Sequence, residues 1–179
     1  MLWPSTPPAA GRILLRGVGA GDIGMARELS SDPYVPQIGS LPPRADEGEL
    51  YAWVERQQQR HWEGSGFSFT IVDAANDQPV GHCGLWLKEL SEGRATAGYS
   101  VVASERGRGL ATDALTALTE FGWTVEGLER IALYIEPWNL SSVRTAERAG
   151  YHREGLLRSH QKIAGQRRDM LLYAAIRED

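Results

Sequence analysis

In the middle of the chain the apolar pattern changes its period from two to 3.6, and that change constrains the fold most. Phe67 to Ala74, Val80 to Leu87 and Ala95 to Ala103 read as strands. Asn76-Asp77-Gln78-Pro79 and Ser91-Glu92-Gly93 join them, which suits an antiparallel meander. From Leu110 to Val125 the apolar residues instead fall at Ala111, Ala114, Leu115, Leu118, Phe121 and Val125, the spacing of a long amphipathic helix. The junction between the two periods, Val101 to Thr112, is a strand end, a loop with Gly107 and Gly109, and a helix start.

The flanks extend the same plan. Met1 to Ala10 is a Pro-rich arm. Ile13 to Leu15 is a short strand, Gly17 to Gly21 a turn, and Asp22 is placed to cap a helix with Ile23, Ala26 and Leu29 on its apolar face. Asp32 to Arg44, interrupted by Pro33, Pro36, Pro42 and Pro43, reads as loop. A second helix begins near Ala45, with Asp46, Glu47 and Glu49 at the favourable end of its dipole, and stops at Gly64 to Gly66. Beyond the long helix, Ile131, Leu133 and Ile135 alternate in a strand. Ser141 to Ala149 is a shorter helix closed by Gly150, and Tyr151 to Ser159 and Arg168 to Ile176 are a final pair of strands around Gly165. The expectation is an α/β fold of the α+β type: an arm over residues 1–10 and one domain over 11–179 with a mixed sheet.

Composition excludes several functions. Lys plus Arg number 19 against 23 Asp plus Glu, a net charge of −4, whereas a chain that coats nucleic acid needs a basic excess. The single cysteine, Cys83, leaves no intrachain disulfide or Cys-rich zinc site, and His61, His152 and His160 lack metal-ligand spacing, so no metal is expected. No stretch approaches the ~18 apolar residues of a membrane span. The N-terminus has no basic segment followed by an apolar one, so the expected location is cytoplasmic.

The chemistry concentrates at the junction. Two glycines permit a tight turn and close approach of a ligand, and the free N–H groups from Gly107 to Thr112 point out of a helix N-terminus. That is an anion site suited to pyrophosphate, with Arg106 and Arg108 adding positive charge. Two rival phosphate loops fail. The chain has no Gly-x-x-x-x-Gly-Lys-Ser/Thr, and Gly107-Arg-Gly109-Leu-Ala-Thr112 lacks the third glycine of a dinucleotide fingerprint.

Arg106-Gly-Arg-Gly109-Leu-Ala111 fits Gln/Arg-x-x-Gly-x-Gly/Ala. Downstream stand Asn139-Leu-Ser-Ser142 and Gly150-Tyr151, then Glu154-Gly155, Arg158, Gly165 and Asp169. In order and spacing these segments resemble the GNAT acyltransferase superfamily, nearest its RimJ/RimL-type branch, from Arg12 onward. The resemblance implies a mixed, mostly antiparallel central sheet with splayed strands, flanked by about four helices, and acetyl-CoA in the splay. Val101 would hydrogen-bond the pantetheine arm. Arg106, Gly107, Arg108, Gly109, Leu110, Ala111 and Thr112 would take the pyrophosphate, and Asn139 the lower pantetheine. The implied reaction is direct attack of a primary amine on the thioester in a ternary complex. The acceptor is a protein N-terminal amine or a small amine, including an amino-bearing antibiotic or polyamine. A non-catalytic CoA-binding regulatory module is the alternative, because the tyrosine many members place seven residues after the asparagine is here Ala146. Edge strands near the C-terminus offer pairing in a homodimer.

Ser142 matches the serine of RimL-like members and is the expected proton donor to the departing sulfur; its competing role is a helix-start residue beside Asn139. Glu136, on the same strand face as Tyr134, leads as base, ahead of Glu92; His82 reads as a core histidine. Deprotonating a lysine-like amine (pKa ~10.4) at pH 7 costs ~4.6 kcal/mol, against about 1.1 kcal/mol for an α-amine near ~7.8. That difference favours weakly basic acceptors. Trp138 is expected at the acceptor pocket, Trp53 and Trp123 in the core, and Trp62 and Trp86 in packing.

Overall fold

Eight strands form one sheet in the computed structural model, which describes residues 2–178. Met1, first residue of the arm, and Asp179, last of the expected domain, lie outside the described residues. The strands are β1 (Ala9–Ala10), β2 (Ile13–Gly17), β3 (Gly66–Asp73), β4 (Gln78–Glu89), β5 (Arg94–Val101), β6 (Arg130–Ile135), β7 (His152–Ile163) and β8 (Gln166–Ile176). Their order is β1-β2-β3-β4-β5-β6-β8-β7, and every neighbouring pair is antiparallel except β5 and β6, which run parallel. The helices are α1 (Ile23–Ser31), α2 (Val35–Ile38), α3 (Glu47–Trp62), α4 (Leu110–Gly122) and α5 (Leu140–Arg148).

Strand alternation divides the interior. Phe67, Phe69 and Ile71 of β3, Cys83, Leu85 and Leu87 of β4, and Ile131, Leu133 and Ile135 of β6 pack with Leu115, Leu118 and Phe121 of α4. The opposite face carries α1, α2 and α3, whose Met25, Leu29, Val35, Leu50, Trp53 and Val54 form a second apolar cluster. Trp53 is buried and Trp123 is half-buried against the first cluster, whereas Trp62 is 85% exposed and does not pack as expected.

Three local features depart from the sequence pattern. The proline-broken segment contains α2, which makes five α-helices among the described residues. Pro36 sits in its first turn, where no N–H partner is needed, and Asp32 Oδ1 accepts from the N–H groups of Tyr34 and Val35. Asp22 precedes α1 but its carboxylate does not cap it. It is fully buried and takes two bonds from the Arg16 guanidinium, one from Thr70 Oγ1 and one from Gly19 N–H. Four charge-assisted or neutral donors outcompete one capping bond. Finally, Ala9–Ala10 of the arm pairs with β2, and Trp3 packs on Phe69 at 5.0 Å between ring centroids. No helix among the described residues is long and apolar enough to cross a membrane.

Candidate active site

The parallel pairing of β5 with β6 is short. Arg94, Ala95 and Thr96 face Arg130, Ile131 and Ala132; beyond Thr96 the ladder ends while β6 continues to pair with β8 as far as Ile135. The two strands therefore open toward Val101 and Glu136. Two cavities meet at this opening. The one on the α4–α5 side, about 640 Å³, is lined by Val101, Arg106, Gly107, Gly109 to Thr112, Asn139 and Ser142. The one on the α3 side, about 330 Å³, is lined by Trp53, Arg60, His82, Trp86, Tyr134 and Glu136. Tyr34, Tyr99, Ser100, Asn139 and Ser142 border both.

The larger cavity has the chemistry for a pyrophosphate-bearing group. Gly107 and Gly109 adopt φ of +79° and +83°, a left-handed conformation that glycine alone takes freely. Gly109 is the N-cap residue of α4, and no side chain caps that end. The uncapped turn opens into the cavity. Thr112 N–H already bonds Gly109 O at 3.0 Å, so it is the least available of the six expected groups.

The two loop arginines are not free. Arg106 donates through Nε to Val101 O at 3.0 Å and through Nη2 to Asp32 Oδ2 at 2.6 Å. It lines the cavity while bracing β5 against the α1–α2 loop. Burial works to raise the Asp32 carboxyl pKa, but the Val35 and Tyr34 N–H groups and Arg106 outweigh it, and the carboxyl sits below its usual range. Arg108 points elsewhere, to Asp73 Oδ2 at 3.0 Å and to Glu105. Arg144 and Arg148, one turn apart on α5, line the cavity instead.

Asn139 caps α5: its Oδ1 accepts from Ser142 N–H at 3.1 Å and from Ser141 Oγ at 2.9 Å. Ser142 is half-buried at the meeting of the cavities, and the Tyr99 hydroxyl lies 3.4 Å from its carbonyl oxygen. Ala146 is fully buried in the first cluster. Glu136 is 4% exposed; its Oε2 accepts from Tyr34 Oη at 2.7 Å, and Arg168 Nε stands 3.7 Å from Oε1. Burial and then the Glu136 carboxylate push the Tyr34 phenol well above its ordinary pKa, so it remains a donor. Trp138 packs edge-on against Tyr34 at 4.9 Å. Glu92 ends the turn between β4 and β5, at the far end of β5 from Val101, and lines neither cavity. No cluster of three or more His, Cys, Asp or Glu suited to a metal occurs among the described residues.

Sequence reasoning missed Tyr34, Tyr99, Arg144 and Arg148. Tyr99 could have been found, since it lies two residues before Val101 on the same strand face. The others carry no local signal.

A sheet that splays beside an uncapped glycine-loop helix defines an acyl-CoA-dependent transferase architecture. The acetyltransferase (GNAT) domain profile matches residues 12–152, and the chain belongs to that family. It is an acetyl-CoA-dependent N-acetyltransferase. The uncharacterized N-acetyltransferase p20 of Bacillus licheniformis is 27% identical over 94% of both chains. The ribosomal protein uS5 alanine N-acetyltransferase of Escherichia coli is 29% identical over 76% of this chain and 74% of its own. The structure of RimL, a ribosomal L7/L12 α-N-protein acetyltransferase in complex with coenzyme A, superposes with a TM-score of 0.81 at 20% identity, covering 94% of this chain and 96% of that one.

Proposed function

We propose that this enzyme acetylates a primary amine by direct attack in a ternary complex, the cofactor entering from the larger cavity and the amine from the smaller. The observation that carries this reading is the junction of the cavities at Tyr99, Ser100, Asn139 and Ser142. Acetyl-CoA supplies the thioester, and the reaction needs a proton removed from the amine and one delivered to sulfur. Gly107, Gly109, Leu110 and Ala111 hold phosphate oxygens, with Arg106 at their edge; Thr112 and Arg108 contribute less, because their donors are committed. Val101 and Asn139 line the path of the pantetheine arm.

Ser142 donates the proton to sulfur. The helix cap supplied by Asn139 fixes its backbone, and the Tyr99 hydroxyl reaches the Ser142 carbonyl oxygen from β5. Glu136, an acceptor-only carboxylate oriented by Tyr34, takes the amine proton directly or through one water. The acceptor is a small amine or a protein N-terminal amine, the second being what the uS5 and RimL relatives acetylate by name. The same reading takes residues 11–179 as one catalytic domain with 1–10 as its arm, in the cytoplasm. The edge strand β7 is its surface for a homodimer.

Ser142→Ala tests the reading. Loss of a positioned proton donor lowers kcat roughly 100-fold or more, measured by thiol release over a panel of amines. Calorimetric affinity for acetyl-CoA stays within about twofold. An unchanged kcat removes Ser142 from the chemistry.

A further inference from the structure

The smaller cavity is lined by groups of both charges. Glu136 with its phenol donor lines it. So does Arg60 of α3, which lies over the Trp86 indole, its guanidinium carbon 5.4 Å from the ring centroid. Two glycines make room for that indole. A Cβ at Gly98 would stand 2.9 Å from it, and one at Gly84 would stand 3.3 Å from it. Gly98 directly precedes Tyr99, about 3.3 Å along β5 from the junction of the cavities.

Arg60 is half-buried, yet no carboxylate among the described residues lies within 4 Å of it. Burial first, and Arg56 second, disfavour its charge, and Glu63 offsets them only at long range. Arg106 is neutralised by Asp32 and Arg168 faces Glu136. Arg144 and Arg148, also without a carboxylate within 4 Å among the described residues, line the larger cavity, which leaves Arg60 as the arginine lining the smaller one. A guanidinium stacked on an aromatic face keeps its N–H edge free, and that edge matches a carboxylate. Withdrawing such a charge from water without a partner is unfavourable, and an incoming anion relieves it.

We propose that the acceptor is a compact amino-acid-like zwitterion, its amine facing Glu136 and its carboxylate held by Arg60 on Trp86. The proposal rests on the acetyl-transfer reading above. A cavity of about 330 Å³ walled by Leu41, Trp53 and Trp86 accommodates one apolar side chain besides these two groups. A polyamine would set its second ammonium against Arg60.

The test pairs phenylalanine, tyrosine, leucine and methionine with their carboxamides, and adds spermidine. Wild type, Arg60→Met and Arg60→Lys are compared by thiol release at saturating acetyl-CoA. The acids are expected to be preferred. Arg60→Met lowers the acid-to-amide ratio of kcat/KM roughly 10- to 100-fold, the scale of a lost charge-assisted pair, mainly through KM. Arg60→Lys restores part of it. Comparing ratios between proteins cancels the different basicities of acid and amide. An unchanged ratio in Arg60→Met, or turnover of spermidine by wild type faster than that of the acids, overturns the proposal. Titration of the same pairs into the CoA-saturated proteins separates the two readings. If no amine releases thiol although acetyl-CoA binds, acetyl transfer fails. The anion receptor then stands if acids bind wild type and not Arg60→Met, and falls if they bind neither.

Discussion

Acidification should destabilise this protein well above the pH at which its carboxylates titrate, and His82 should be the cause. The imidazole is set in β4 on the α3 side of the sheet, edge-on to Trp53 at 5.0 Å between centroids. Its Nε2 is closed off from water and has no hydrogen-bond partner. Burial, followed by the nearby charge of Arg60, drives its pKa from 6.5 down to about 3, against a smaller opposing pull from Asp22. The folded pKa lies below the unfolded one. The unfolded chain therefore takes up a proton as pH falls below 6.5 while the folded chain does not, and stability is lost in the window from about 7 toward 3. Between pH 7 and pH 5 the unfolded histidine gains about 2 kcal/mol from protonation, which the native state does not share. For a chain of this size that is a fall in Tm of roughly 4–8 °C.

Urea denaturation at the two pH values, followed by tryptophan fluorescence, measures the loss directly. His82→Phe keeps a ring against Trp53 and removes the titration. Its own stability is immaterial, because the comparison is between slopes. Wild type should lose about 2 kcal/mol more than the variant from pH 7 to pH 5. Asp22 and Asp32 interfere little in this window, since both sit below an ordinary value of 3.8. Equal losses in the two proteins would refute the reasoning, and would mean that Nε2 finds a partner or water in solution.

Gly98→Val should push the Trp86 indole off the sheet, because even a Cβ there meets it at 2.9 Å. The KM for amine acceptors should rise tenfold or more while calorimetric affinity for CoA holds; a loss confined to CoA would place the indole on the wrong side of the splay. Arg144→Ala combined with Arg148→Ala should weaken CoA binding roughly tenfold, with a smaller loss for dephospho-CoA. Equal losses for the two ligands would place these arginines on the pyrophosphate rather than on the 3′-phosphate.

What could be read from the sequence was local. The change of period at Val101 to Leu110 locates β5 and α4, because glycine spacing and apolar recurrence act within one or two turns. Gly150 is legible for the same reason, with φ of +83° just past α5. Asp22 shows where such reasoning ends. Its position before a helix predicts a cap, yet Thr70, 48 residues away, and Arg16 claim the carboxylate. The site follows the same rule. Tyr34 meets Glu136 across 102 residues and Arg106 meets Asp32 across 74, and neither pair leaves a trace in spacing. The cost of missing them is specific. Arg106 and Arg108 already meet Asp32, Asp73 and Glu105, so as proposed phosphate ligands they bring less free charge than their place in the loop suggests. Uncompensated charge, rather than the mere presence of an arginine near a glycine loop, is what an anion can use. By that criterion we propose Arg144 and Arg148 as the anion-binding arginines of the cofactor side, and Arg60 as that of the acceptor side.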